Sequence, residues 1–480
     1  MKNLIYKVSY LLLFFAVFMS CSKNEFLDID PQGIIIPSTV EDFRLLLDDE
    51  DLYSAKHRIT PYASDIILLD DRLQALLAYT NEERNLYRFN EFIYSPTTDD
   101  SDWNTYYGQI FNINIVLDGL SKLEDGTPEK VEALVAEAKL HRAYAYFNLV
   151  NIYGLHYNPA TASTDLGVPI REGFDFIGVD LTRASVQDVY DLVIDDISSS
   201  IANLRDTQSL EFSFRPSKAA AFALLSKVFL YQGKYQDALD NIEQALALNN
   251  TLRDINGEIT NTYTADGQSV ETTERYWPDI IEDSQVVWHK SVILDLAFIE
   301  SYGNLFEDDD LRNQWMIPFQ TSFDASDFVS TVPGYFLVAT DNANSGTQGI
   351  YTSDMYLIRA ECNARLGNIQ QANDDLNDLR EKRYRTGTHT DLNITNADQL
   401  LEFVKEERLR EFPSTVERTF DIKRYNRFDN DNIVINHPIT NSSGVVEETI
   451  TVQPDSKNWA QPIGQLYIGF NPEIEQNPRD

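Results

Sequence analysis

One pattern occurs twice and constrains the fold more than any other feature of the chain. The segment Phe229-Leu-Tyr-Gln-Gly233-Lys-Tyr-Gln-Asp-Ala238-Leu-Asp-Asn-Ile242-Glu-Gln-Ala245 is matched by Asn363-Ala-Arg-Leu-Gly367-Asn-Ile-Gln-Gln-Ala372-Asn-Asp-Asp-Leu376-Asn-Asp-Leu379. In both, a glycine is followed five residues later by alanine, and that alanine four residues later by a large apolar side chain. The glycine permits a tight turn, and the small alanine lets two helices approach closely. Each segment therefore predicts a helix pair, Lys218 to Tyr231 with Tyr235 to Leu248, and Asp354 to Leu366 with Ile369 to Arg383. Apolar or small residues at Val131, Leu134, Val135, Ala138, Ala145, Tyr146, Leu149 and Ile152 form one stripe of a further helix that Gly154 ends. Another helix is expected from Ala397 to Phe412.

The two helix pairs resemble the tetratricopeptide repeat. They stand more than 100 residues apart, so any intervening repeats are degenerate or interrupted. Residues 250 to 350 supply the interruption. They are rich in β-branched and turn residues and carry Trp277, Trp288 and Trp315 with Pro278, Pro318 and Pro333. Long loops, short helices and a hairpin are expected there, and long loops in a compact domain commonly carry function. Residues 431 to 470 read similarly, with a strand-like Gly444-Val-Val-Glu-Glu-Thr-Ile-Thr-Val452. The expected fold class is all-α (mainly α): a tetratricopeptide-like helical scaffold with long irregular loops and minor β-hairpins.

The N-terminus sets the expected compartment. Lys2 and Lys7 precede an apolar run, Val8 to Met19, of about twelve residues. That suits a signal peptide and falls short of the roughly twenty needed to span a membrane. Ser20-Cys21 after the run resembles a bacterial lipobox, with Phe18 where leucine is usual. The resemblance implies cleavage before Cys21 and lipidation of that cysteine, anchoring the chain firmly. Residues 1–20 are then a signal peptide and 21–37 an acidic tether. The tether resembles the export signal of surface lipoproteins. Residues 38–480 are expected to form one domain, with helix pairs near 104–153, 185–249 and 353–412. The other cysteine, Cys362, lies among small helical residues and reads as a buried core thiol with no disulfide partner.

The composition excludes several functions. The formal charge is −37, from 39 Lys and Arg against 76 Asp and Glu, which argues against nucleic-acid binding. It also argues against electrostatic adhesion to an anionic membrane. Six histidines show no zinc-ligand spacing, and no nucleophile elbow, Walker loop or dinucleotide fingerprint is present. Neither a catalytic residue, a metal ligand nor a cofactor is therefore expected. The acidic runs Asp48–Asp51 and Glu307–Asp310 lack the spacing of a calcium loop and read as solvated caps at helix starts.

Several motifs in order resemble the SusD/RagB family of outer-membrane nutrient-binding lipoproteins. Phe26-Leu-Asp-Ile-Asp-Pro-Gln-Gly33 resembles the family's opening, and Trp103-Asn-Thr-Tyr106 with Ile110 and Asn114 resembles its helix that carries a tryptophan, a tyrosine and a downstream asparagine. Ala136 to Gly154, holding Arg142, Tyr144, Phe147 and Tyr153, is similar to its best-known helix. Gly167-Val-Pro-Ile170, Arg183-Ala-Ser-Val186, Arg215-Pro-Ser-Lys218 and Leu357-Ile-Arg359-Ala-Glu361 follow. Glu407-Arg408-Leu-Arg-Glu411 then leads to Arg418, Phe420, Asp421 and Arg424, and the chain closes with Gln461-Pro-Ile463, Asn471-Pro472 and Gln476-Asn-Pro478. Thr415-Val416 replaces the usual Glu-Gly and leaves the local helix ending open. The aromatics of these motifs read as core residues. Arg142, Arg359, Glu361, Glu407 and Arg408 read as partly buried ion pairs between helices.

The resemblance implies a non-enzymatic lipoprotein of the outer membrane, exposed at the cell surface, that binds an oligosaccharide or similar nutrient. It implies a partner, a SusC-like TonB-dependent outer-membrane transporter, over which the protein closes as a lid. Sugar binding needs flat aromatic faces and polar side chains. Trp277, Trp288, Tyr79 and Asp65 are the expected ligand contacts, the two tryptophans from the loop-rich part at about 250–350. Two alternatives stay open: a tetratricopeptide-type scaffold for protein partners, and a secreted glycoside hydrolase using two of the many carboxylates.

Overall fold

The computed structural model describes residues 37–55, 59–124, 126–257, 259–265, 268–273, 283–292, 296–318, 332, 334–337, 346–413 and 415–480. Cys21 and Trp277 lie outside them. The fold is mainly α. Ten helices carry it: α1 (Val40–Leu47), α2 (Ser101–Ser121), α3 (Pro128–Tyr153), α4 (Val186–Ser200), α5 (Lys218–Tyr231), α6 (Tyr235–Leu248), α7 (Thr352–Leu366), α8 (Ile369–Glu381), α9 (Ala397–Glu411) and α10 (Glu417–Phe428). No helix among the described residues is long and apolar enough to cross a membrane.

The two sequence repeats form as expected. Gly233 and Gly367 turn the chain with φ of 73° and 82°, a left-handed conformation that costs glycine nothing. Ala238 and Ala372 are fully buried at the close approach of each pair. At the first, the Ser226 hydroxyl donates to the Ala238 carbonyl at 2.6 Å, a contact that a larger side chain would keep apart. In space the pairs are neighbours, because α6 packs directly against α7. The hundred residues between them leave the stack and return, so the helical array is continuous where the sequence is not.

The excursion contains a hairpin, β1 (Ile259–Ala265) with β2 (Gln268–Thr273), and β3 (Val286–Trp288), which pairs with β4 (Ile350–Tyr351) where the chain rejoins the stack. Gly349 is required at that junction, since a Cβ there would sit 1.8 Å from the Trp288 carbonyl oxygen. After α10, β5 (Ile435–Thr440) and β6 (Val446–Val452) form a second hairpin, which accounts for the strand-like run ending at Val452. Its outward residues are exposed. A separate apolar cluster joins residues from 59–94, 296–302 and 435–459, so the loop-rich parts share a core of their own beside the helical stack.

The central helix α3 is buried on nearly every face from Leu140 to Tyr153. Its apolar stripe is thus only part of its contact surface: Arg142, Asn148 and Asn151 are buried too, each with hydrogen-bond partners. Arg142 forks onto Asp196 of α4 at 2.7 and 2.9 Å. The expected ion pairs between helices are present: Arg359 of α7 meets Asp375 of α8 in a partly buried pair, as expected, and the others are more deeply buried than expected. Glu361 binds Arg424, Glu407 binds Arg312 and Arg380, and Arg408 reaches Asp354, Glu417 and Asp421. Cys362 is buried in the core, as read from its neighbours.

Two expectations change. Helix α8 stops at Glu381, two residues early, because Arg383 swings into the core to fork onto Glu411 and to reach Gln285. Asp310 is no solvated cap. It is buried, and its carboxylate takes the Nε and Nη2 hydrogens of Arg312, which carries it into the Glu407 and Glu411 network. The open ending after α9 resolves through Thr415, whose hydroxyl donates to the Phe412 carbonyl and accepts from the Glu417 amide.

Candidate functional site

A surface groove of about 300 Å³ lies where α9, α10 and the loop before β5 meet. Helix α9 presents Glu402, Lys405 and Glu406 at i, i+3 and i+4, which places them on one face. That face turns outward because Leu400, Val404 and Glu407 turn inward. The loop contributes Asp431, and α10 contributes Arg418. Leu409 and Ile433 give the groove half-buried apolar walls.

The charges are fixed in position. Lys405 is 6 % exposed and donates to Glu402 at 2.8 Å and to Asp431 at 2.7 Å, with Asp429 at 3.1 Å. Burial works against its ammonium, yet these carboxylates hold its pKa above the usual lysine value. Burial raises the Asp431 carboxyl in turn, against the pull of Lys405. Glu406 is tied to Arg410 at 2.9 Å but remains 54 % exposed, and Glu402 is 64 % exposed. Arg418 uses Nε and Nη2 to fork onto Asp65, at 2.8 and 2.5 Å. Its Nη1 amine has no partner among the described residues.

Trp277 lies outside the described residues, and of the three expected ligand contacts among them only Asp65 reaches this groove's edge, held there by Arg418. Tyr79 is a core residue. It is 5 % exposed, its hydroxyl donates to the Leu68 carbonyl at 3.3 Å, and its ring meets Tyr62 edge-on. Trp288 is fully buried, with its indole N–H on the Phe214 carbonyl at 3.0 Å and its ring edge-on to Tyr144 and His141. Neither ring has a face open to a ligand, because the polar atom that each aromatic carries is satisfied by backbone inside the core. Asp65 and Trp288 are not brought together. Glu402, Glu406 and Asp431 were not singled out from the sequence: a Glu-x-x-Lys-Glu run on a helix reads as an ordinary solvated face, and only the neighbouring loop makes it concave.

Two other concavities carry less chemistry. One of about 10 Å³ beside Thr60, Asn151 and Gln461 holds at most a water. A larger one of about 480 Å³ includes Arg479, but the two terminal amines of its guanidinium are taken by the carbonyls of Phe89, Asn90, Asn458 and Ala460. Among the described residues, no three metal-type ligands converge.

Comparison with known proteins agrees with the architecture. A family model described as starch-binding and associating with the outer membrane matches residues 25–230, and the SusD family model matches residues 335–479. A SusD-like protein of Formosa agariphila is 24 % identical over 472 residues, spanning 83 % of this chain and 84 % of that protein. Among solved structures, a SusD superfamily protein from Bacteroides thetaiotaomicron has a TM-score of 0.70 at 20 % identity, over 92 % of this chain and all of the other. A laminarin-binding SusD-like protein has a TM-score of 0.60 at 19 % identity, over 92 % of this chain and all of the other. The motifs, the helical stack and these matches agree: the chain belongs to the SusD family.

Proposed function

We propose that this chain binds a glycan or similar nutrient at the cell surface and passes it, as a lid, to a SusC-like TonB-dependent transporter. It performs no covalent chemistry and is held in the outer membrane by lipid on Cys21. The observation that carries the reading is family membership along both ends of the chain, together with a fold shared over 92 % of its length with a laminarin-binding relative. The architecture supports it physically. A stack of helix pairs locked by buried arginine–carboxylate networks is a stiff body, suited to moving as a unit against a barrel. Loops of the chain and the second hairpin are gathered on a core of their own, where surface loops can be varied for ligand without disturbing the stack.

The test has two arms. The intact lipoprotein is purified from outer membranes under detergents that preserve complexes, and co-purifying proteins are identified by mass spectrometry. A TonB-dependent barrel at near-equal abundance is expected, and its absence overturns the lid mechanism. Radiolabelled palmitate incorporation, lost in Cys21→Ser, tests the anchor. Incorporation unchanged in that variant overturns it.

A further inference from the structure

The groove at α9 and α10 has a chemistry of its own, and it restricts the ligand. We infer that it is a binding subsite for uncharged glycan, recognising sugar hydroxyls through Arg418 and the Glu402, Glu406 and Asp431 carboxylates, and excluding uronates and sulfated sugars. This rests on the glycan-binding reading above and adds the place and the ligand class.

The argument starts from what is free to bond. Sugar hydroxyls both donate and accept. Lys405 spends its ammonium on Glu402, Asp429 and Asp431, so it offers a ligand little. Arg418 keeps its Nη1 amine after forking onto Asp65, and the fork fixes the plane in which that amine donates. Glu402 and Glu406 are both more than half exposed, so their remaining lone pairs face solvent. The groove therefore has many acceptors and one rigid donor group. Leu409 and Ile433 supply apolar contact for the C–H face of a ring.

The sign of the charge selects the class. Three carboxylates line the groove against two cations, and every cation within reach is already paired, Lys405 with Glu402 and Asp431, Arg418 with Asp65, and the adjoining Arg410 with Glu406. A ligand carboxylate or sulfate would enter with no unpaired cation to meet it and with Glu402 and Glu406 at close range. Screening acts over about 8 Å at physiological salt, so it does not remove that repulsion inside the groove. The chain's charge of −37 opposes approach of a polyanion from further away. A neutral polyol meets neither obstacle, and the polar groups reward only a ligand that supplies hydroxyls to them.

The experiment measures binding of the full chain to laminarin, starch and dextran as neutral probes and to polygalacturonate and dextran sulfate as anionic ones, by calorimetry and affinity electrophoresis. At least one neutral glycan is expected to bind, and neither anionic one. The double variant Glu402→Gln with Glu406→Gln changes only exposed side chains and is expected to weaken the neutral glycan at least fivefold. Arg418→Gln is expected to weaken it at least tenfold, with circular dichroism verifying the fold. Should Arg418→Gln fail to fold, the double variant decides the matter. Neutral binding unchanged in that double variant overturns the groove while leaving glycan binding intact. Binding of an anionic polysaccharide as tight as any neutral one overturns the ligand class. Binding of none of the five overturns this inference and the reading beneath it together.

Discussion

Lys423 donates from Nζ to the carbonyls of Asn151 and Gly154, at 2.5 and 2.8 Å, and so seals the C-terminal end of α3 from inside the protein. The last carbonyls of a helix have no partner within it and carry partial negative charge. In α3 each finds one. The Ile152 carbonyl accepts from the Gln461 amide, and that of Tyr153 accepts from Arg183 and from Asn477. Arg183 is buried and its guanidinium is spent on backbone carbonyls and the Asn477 side chain. Family motifs far apart in sequence thus meet at one helix terminus.

Lys423→Met is expected to destabilise the protein by about 2–4 kcal/mol, because two buried carbonyls lose their donor. Urea denaturation at pH 7.5 measures it. Burial lowers the Lys423 pKa to about 7, well under the value of an unfolded lysine. The unfolded chain then binds the extra proton above pH 7, so stability from this group rises between about pH 7 and pH 10. Wild type should gain on Lys423→Met across that interval, and a constant difference would refute the assignment.

At the other end of the same contact region, Asp100 accepts from the Tyr153 hydroxyl and the Gly464 amide, while Asp102 accepts from Thr60. Burial pushes Asp100 up to about 6 and Asp102 well above the carboxylate range, with Asp100 adding to the rise of Asp102. Folded-state pKa values above the unfolded ones mean that ionisation costs stability as pH rises through 6. Asp102→Asn keeps the shape without the charge and is expected to raise stability at pH 7.5 by about 1–2 kcal/mol, with a smaller gain at pH 4.5. Thermal melts at the two pH values check this.

Glu361 and Glu407 behave in the opposite sense. Burial raises both, but Arg424 and Arg365 at Glu361, and Arg312, Arg410 and Arg380 at Glu407, win and hold them below the usual range, Glu407 at about 2. Their stabilisation is present above the unfolded value near 4.5 and is lost as pH falls toward 2. Glu361→Gln should cost about 3–5 kcal/mol at pH 7, since it leaves the buried Arg424 partly uncompensated. The cost should shrink in acid. An equal loss at pH 3 and pH 7 by denaturant titration would count against the ion pair as its source.

Trp288→Ala is expected to lower stability by about 3–5 kcal/mol through a core cavity and a lost hydrogen bond to Phe214. Calorimetric affinity of any surviving folded fraction for a bound glycan should match wild type. A variant of native stability with weakened ligand binding would restore Trp288 as a contact.

Much of the scaffold was legible because it is locally encoded. The turn glycines 233 and 367 and the alanines 238 and 372 impose their geometry within a few residues, and helices α5 and α6 begin and end where periodicity placed them. The ion-pair partners of Arg142, Glu361 and Arg408 were readable only as a class, since which carboxylate meets which arginine depends on helices brought together by packing.

The site was less legible. Side-chain chemistry suggested aromatics, yet whether Tyr79 and Trp288 face ligand or core is decided by what packs over them. Charged residues on a helix give no sign of concavity until a loop closes beside them, as Asp431 does beside Lys405. The sequence by itself determined the helical repeats, the acidic surface and the family, because those follow from local spacing and composition. Tertiary structure alone decided that two distant repeats stack without a gap, that Lys423 seals α3, and that Asp65 and Arg418, 353 residues apart, stand together at the groove. Contacts at such separations arise only when the cores have formed and exclude water from the alternatives.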